Sequence, residues 1–326
     1  MNDLPFSYDS IFSIKSEQEF NGLACLLFRY QYETILPYRE FTDKLNITVS
    51  EINNYTKIPF LPISFFKTHN IISQNKSALT TFFSSGTTGS ELSKHQVADL
   101  SLYDLSLLKG FENTFGTISD YSIFALLPSY HDNKNSSLLY MVRKFIENSK
   151  NKGGFYLNNT DELLEDIKEE KKRKKIILIG VSYALLDLGE KYAPDLRDVI
   201  VIETGGMKGR RKEMTKADLH ISLKNYFNSK TIFSEYGMTE LLSQAWSKGN
   251  GIFTTPPWMK ILTREYTDPL TLIENQTGGI NIIDLANVHS CAFIATQDLG
   301  IVRTNQFEIV GRFDNADLRG CNLLVS

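Results

Sequence analysis

Apolar residues recur at helical spacing near the start of the chain, at Phe20, Leu23, Ala24, Leu27 and Phe28. That period predicts an amphipathic helix, and Ser16 with Glu19 ahead of it form a capping-box pair at its N-terminus. The stretch "IPFLPISFFK" (58–67) interrupts the pattern with two prolines. From Leu79 the pattern changes again. Short apolar runs, "YSIFALL" (121–127), "KIILIGV" (175–181), "DVIVIE" (198–203) and "TIFSEYG" (231–237), alternate with helix-length segments. Such alternation predicts parallel strands joined by crossover helices. Beyond Met259 short runs such as "INIIDL", "CAFIATQ" and "GIVRTNQFEIVGR" are separated by Asp, Asn and Gly, and this part reads as mainly β. The expected organisation is a mainly helical part over 1–78, an α/β core over 79–258 and a β-rich part over 259–326.

One turn in this pattern carries chemistry of its own. The run Leu79 to Phe83 reads as a strand, and "SSGTTGSELSKH" (84–95) leaves it through two glycines and a run of hydroxyls. Glycines let the backbone approach a ligand, and Ser84, Ser85, Thr87 and Thr88 add donors beside the backbone N–H groups, a chemistry suited to phosphate oxygens. An ordinary Ser/Thr/Gly loop has the same composition. The loop is not a Walker loop, and no G-x-G-x-x-G occurs in the chain.

Composition narrows the partners. The chain has 326 residues, 42% hydrophobic and 22% charged, with a net charge of -3, which gives no general attraction to nucleic acid or anionic membranes. The run "EDIKEEKKRKK" (165–175) reads as the solvated side of a helix leading into a buried strand. Cys25, Cys291 and Cys321 form neither a C-x-x-C pair nor a disulfide framework. The first residues lack the basic and apolar regions of a signal peptide, so the cytoplasm is the expected compartment. No apolar stretch approaches the length of a spanning helix.

Four further segments follow the opening loop in order: "ETGGMKGR" (203–210), "FSEYGMTE" (233–240), "TQDLG" (296–300) and "GRFDNADLRG" (311–320). Together the five resemble the core motifs of the acyl-adenylate-forming enzymes, the superfamily of acyl-CoA synthetases, peptide-synthetase adenylation domains and luciferases. Within it, the short length, the "IPFLPISFFK" segment and the terminal "RGCNLL" are most similar to the LuxE-type acyl-protein synthetases. The resemblance implies an α/β fold of the adenylate-forming large-domain type, with parallel sheets flanked by helices, a β-rich C-terminal part and no C-terminal lid domain, since only Phe313 to Ser326 follow Arg312.

It also implies roles. Ser84, Ser85, Gly86, Thr87, Thr88 and Gly89 would bind phosphate, with Lys94 as charge partner, although the family's lysine follows its last glycine more closely. Gly205 and Gly206 would flank adenine, and Tyr236, followed by Gly237, would stack on it. Thr239 would contact the α-phosphate and Glu240 would help hold Mg²⁺. Asp298 would accept from the ribose hydroxyls, and Arg312 would lie near ribose and phosphate, with Asp314 at the hinge position. His131 in "LLPSYHD" would lie near the substrate carboxylate, and Cys321 would accept the acyl group. The implied reaction is ATP-dependent activation of a fatty or aryl acid to acyl-AMP, followed by transfer to a protein acceptor, such as a reductase or carrier protein, or to coenzyme A.

Two other classes stay open. "GVSYA" (180–184) approximates the nucleophile elbow of α/β-hydrolases, with Ser182 as nucleophile and His220 or His289 as base. A non-catalytic nucleotide or acyl-chain binder is the third.

Overall fold

The computed structural model describes residues 4–85, 91–128, 133–206, 211 and 214–313. They fall into two compact units, one built from 1–75 with 257–326 and the other from 76–256.

The discontinuous unit begins with helices α1 (Tyr8–Phe12), α2 (Glu17–Thr34) and α3 (Leu36–Lys44). Half of the predicted capping box is formed: the Glu19 N–H donates to Ser16 Oγ at 3.2 Å, but Glu19 Oε2 accepts from the N–H of Lys15, one residue before the cap, at 2.6 Å. In the proline-broken stretch lie the short strand β1 (Leu61–Pro62) and helix α4 (Phe65–Thr68).

The continuous unit starts with a hairpin, β2 (Thr80–Phe83) and β3 (Lys94–Val97), which pair as a separate two-stranded sheet. Helix α5 (Leu100–Phe115) follows, capped by Asp99 through the N–H groups of Ser101 and Leu102. Then come β4 (Tyr121–Leu126), α6 (Ser137–Ser149), β5 (Gly154–Phe155), α7 (Thr160–Glu170), β6 (Lys175–Val181), α8 (Ser182–Tyr192), β7 (Val199–Thr204), α9 (Lys216–Phe227) and β8 (Ile232–Tyr236). Strands β5, β4, β6, β7 and β8 lie side by side in that order and all run parallel. Strand β4 is buried throughout and β6 is buried from Ile176 onward, as strands covered by helices on both faces require. Antiparallel β9 (Ala245–Ser247) and β10 (Ile252–Thr254) extend the sheet beyond β8. In the charged run, α7 buries Leu163 and Ile167, Lys171, Lys172 and Arg173 are exposed, and β6 follows.

The chain then returns to the first unit with β11 (Met259–Arg264), β12 (Leu272–Ile273), β13 (Thr277–Asp284), β14 (Phe293–Arg303) and β15 (Gln306–Arg312). These form an antiparallel sheet in the order β12-β11-β13-β14-β15. Strand β1 lies parallel to the first half of β14. Phe293 on β14 packs against Phe28, Tyr38 and Phe60, so helices from the start of the chain cover a sheet from its end. Gln31 on α2 ties the two more specifically. Its amide donates to the carbonyls of Asn287, Val288 and Ser290 at 2.8, 3.0 and 2.5 Å and accepts from the Ala292 N–H at 2.9 Å.

Candidate functional site

In the continuous unit, the motifs after β7 and β8 lie at the carboxyl ends of parallel strands, where open α/β sheets bind ligands. The first motif lies instead in the loop of the antiparallel hairpin. Across the neck of its loop the Ser84 N–H donates to the Ser93 carbonyl at 3.0 Å, and the Ser93 N–H donates to Ser84 Oγ at 2.9 Å. The Ser84 hydroxyl is thus an acceptor that closes the loop, while Ser85 is exposed. Gly86, Thr87, Thr88 and Gly89 lie outside the described residues, as does His131 after β4.

Successive residues of β3 point to opposite faces. Lys94 is half-buried and has no ion-pair partner among the described residues, whereas His95 is buried. His95 Nδ1 lies 2.7 Å from the Thr239 carbonyl. Because a carbonyl only accepts, the proton is assigned to Nδ1. This bond joins the hairpin to the turn after β8, and the sequence offered no signal for it beyond a histidine beside Lys94.

The tips of β7 and β8 are held by two carboxylates on opposite faces of the sheet. On one face Glu203, fully buried, accepts from Lys216 Nζ at 2.6 Å and from Ser182 Oγ at 3.2 Å, and His220 Nε2 lies 3.4 Å away. Ser234, beside Glu203 in the strand register, lies 3.2 Å from His220 Nε2. Burial pushes the Glu203 carboxyl up, but His220, the Lys216 ammonium and Ser234 outweigh it and hold the group below its ordinary range. On the other face Thr204 Oγ1 donates to Glu235 Oε2 at 2.5 Å. Glu235 is half-buried, and loss of hydration, aided by the charge of Glu203 against the Thr204 bond and Lys216, pushes its carboxyl up to about 7. Neither glutamate was singled out from the sequence, since their partners stand up to 31 positions away.

The motif residues follow these carboxylates in the chain. Gly205 has φ +66, a left-handed conformation that disfavours any side chain. Beside Gly206 there is open space among the described residues. A methyl group on Gly237 would displace the Glu235 carboxylate, whose Oε1 lies against that position. Tyr236 is half-buried, its ring 5.8 Å from that of Phe253. Thr239 is half-buried and Glu240 is buried. Among the described residues no group of three or more His, Cys, Asp and Glu side chains could hold a metal by itself. A single carboxylate beside a hydroxyl fits Mg²⁺, which is commonly held by one or two carboxylates plus substrate phosphates.

The other unit carries Asp298 and Arg312, which the β14–β15 register places opposite each other. Arg312 Nε lies 3.0 Å from Asp298 Oδ1, so two residues with separate expected roles form one ion pair. Nearby Arg264 donates to the carbonyls of Ile280 and Thr296 at 2.7 and 2.6 Å and to Asn281 Oδ1 at 2.8 Å. Burial lowers its guanidinium to about 10, against the opposing charge of Asp298. Cys25 and Cys291 are buried, and burial pushes the Cys291 thiol up to about 12; both behave as core residues rather than thiolates. Cys321 and Asp314 lie outside the described residues.

The hydrolase alternative finds no support in the geometry. Ser182 is 1% exposed, and the groups its hydroxyl faces are Glu203 Oε2 and the Gly205 carbonyl, each at 3.2 Å. His220 contacts Glu203 and Ser234 instead, while His289 contacts the hydroxyls of Tyr8 and Tyr30 at 2.8 and 3.4 Å. An elbow nucleophile needs an exposed hydroxyl facing a base.

No protein-family model matches the chain. Among curated proteins it is similar to the long-chain-fatty-acid–luciferin-component ligase of Vibrio harveyi, 23% identical over 337 residues, covering 92% of this chain and 85% of the relative. Among solved structures it is similar to ATP-bound MatB from Rhodopseudomonas palustris, with TM-score 0.55, 15% identity and coverage of 71% of this chain and 47% of that one. A 2-hydroxyisobutyryl-CoA ligase in complex with R3-HIB-AMP gives TM-score 0.69 at 10% identity, over 95% of this chain and 72% of the other. The chain therefore spans about half the length of MatB and nearly three quarters of that ligase. Among the described residues no helix is long and apolar enough to cross a membrane.

Proposed function

We infer that this chain, which has the fold of the acyl-adenylate-forming ligases, activates a carboxylic acid with ATP. The observation that carries the reading is the placement of two ordered motifs, Gly205–Gly206 and Tyr236–Glu240, at the carboxyl ends of the adjacent parallel strands β7 and β8. The similarity to a fatty-acid ligase of Vibrio harveyi supports the substrate class, a fatty or otherwise hydrophobic acid.

In this reading the substrate carboxylate attacks the α-phosphorus of ATP, an acyl–O–P bond forms and pyrophosphate leaves with the electron pair of the broken P–O bond. Preorganised donors offset the charge that develops on the α-phosphate. Thr239 supplies a hydroxyl there, and His95 fixes the peptide that carries it. Tyr236 presents a flat ring to adenine, and the open side of Gly206 leaves room for the base. The hydroxyls and backbone of the loop 84–89, with Lys94, bind the outgoing phosphates. Asp298 is suited to accept from ribose hydroxyls, and Arg312 to switch between Asp298 and a phosphate oxygen. His131 is assigned to the substrate carboxylate. Glu240 with substrate phosphates would hold Mg²⁺, which when bound neutralises phosphate charge.

Cys321 is the proposed acyl acceptor. Its thiolate attacks the acyl carbonyl, a thioester forms and AMP leaves. Arg319, two positions before it in the sequence, would favour the thiolate. The final acceptor is then a protein thiol or coenzyme A, the latter being present in complexes of the 2-hydroxyisobutyryl-CoA ligase. The cytoplasm is the proposed compartment.

The test is pyrophosphate release with ATP, Mg²⁺ and a panel of aliphatic and aryl acids, with trapping of the activated acid by hydroxylamine. Release and a hydroxamate with at least one acid are expected. ATP binding with no release for any acid would make the protein a nucleotide binder instead. For the transfer step, Cys321→Ser is expected to retain adenylation and to lose hydroxylamine-sensitive labelling by radiolabelled acid plus ATP; equal labelling of variant and wild type would remove the thioester.

A further inference from the structure

The strand–turn–helix stretch "IGVSYA" is not consumed by the proposed reaction, yet its serine lies in a buried polar cluster with Glu203, His220 and Lys216. Ser182 opens α8 with no side-chain cap at that helix's N-terminus. Its hydroxyl instead reaches across to the adjacent strand, with its one proton shared between Glu203 Oε2 and the Gly205 carbonyl, both at 3.2 Å. Glu203 is in turn bonded by Lys216 at the start of α9 and approached by His220 one turn further on. Side chains of α8 and α9 therefore converge on the Glu203 carboxylate of β7, two residues before the left-handed Gly205, and the α8 serine also reaches the Gly205 carbonyl.

We propose that Ser182, Glu203, His220 and Lys216 are positioning residues that fix the Gly205–Gly206 turn for the nucleotide, the serine as the latch on the Gly205 carbonyl and the glutamate as its anchor. The inference rests on the adenylation reading and goes beyond it by giving work to four residues that touch no reacting atom.

Its physical basis is entropy and register. A glycine pair has the widest conformational freedom of any dipeptide, so a flat base lying against it must either order the turn on binding or find it ordered already. A side-chain hydroxyl on the carbonyl of the first glycine restricts the rotation of that peptide. The carboxylate beside it is fully buried and held by the Lys216 ammonium, with His220 Nε2 3.4 Å away. Ordering before binding lowers the cost of binding. The same arrangement explains why Ser182 is unsuited to nucleophilic attack: its proton faces two oxygens that fix a turn.

The experiment compares wild type, Ser182→Ala, Ser182→Thr and Glu203→Gln by direct ATP binding in titration calorimetry, by KM for ATP and for the acid in pyrophosphate release, and by thermal unfolding. Losing one hydrogen bond at a preorganised turn is expected to weaken ATP binding about three- to tenfold in Ser182→Ala. KM for the acid should move by less than about a factor of two, a change worth under half a kcal/mol. Ser182→Thr keeps the hydroxyl and should recover most of the loss. Glu203→Gln is expected to weaken ATP binding further, with Lys216, already partly exposed, turning to solvent. A merely structural role would instead lower the unfolding temperature and shift both KM values together. Folded Ser182→Ala with wild-type ATP affinity overturns the inference while leaving adenylation standing. A wild type that binds no ATP overturns both.

Discussion

Glu235 shows how far a single carboxyl can be moved by its surroundings. In the unfolded chain it titrates near its ordinary 4.5, whereas in the native protein its value is about 7. Between those values the native state holds a proton that the unfolded state has released. A raised native value adds stability that is complete below about pH 4.5 and is lost as pH rises through 7. The limit set by the shift is about 3 kcal/mol, reduced because the group is partly open to solvent. Glu235→Gln copies the neutral form at every pH. Urea unfolding at pH 5 and at pH 8 should therefore show little difference between variant and wild type at the lower pH and a more stable variant at the higher. Equal stability at both would mean that the native carboxyl titrates normally.

Elements were more legible than the contacts between them. The runs at 121–127, 175–181, 198–203 and 231–237 correspond to β4, β6, β7 and β8, because period and composition are local properties. Ser16 was legible as a cap for the same reason. The pairing of Glu203 with Lys216 and His220 was not, and neither was the use of Asp298 by Arg312, because side chains in different elements meet only when the elements pack. Gln31 is another case. In the sequence it is one polar residue in a helix, but in the fold it bonds four backbone groups of 287–292. Gln31→Ala leaves buried carbonyls and an N–H without that partner, and unsatisfied groups cost about 1–3 kcal/mol each. A loss of about 3 kcal/mol, read from the urea midpoint at constant slope, is expected; a loss below about 1 kcal/mol would mean that water replaces the amide fully.

At the scale of the molecule, one unit is continuous in sequence and the other is assembled from both sides of it. The closing strands β11 to β15 supply the sheet on which α2 and α3 pack, through Phe28, Tyr38 and Phe293. That arrangement has a consequence in time. A ribosome that has finished residue 75 must add the next 181 residues before residue 257 appears, which at about 5–20 residues per second is a delay of about ten to forty seconds. Throughout it the apolar faces of α2 and α3 have no sheet to cover, whereas by its end 76–256 holds all the parallel strands of its own unit. Stalled nascent chains should gain protease protection over 76–256 first, and over 17–44 only once β14 has emerged. The early helices are thus exposed to chaperones longer than any other part of the chain, and their apolar stripe is where a holding chaperone would bind.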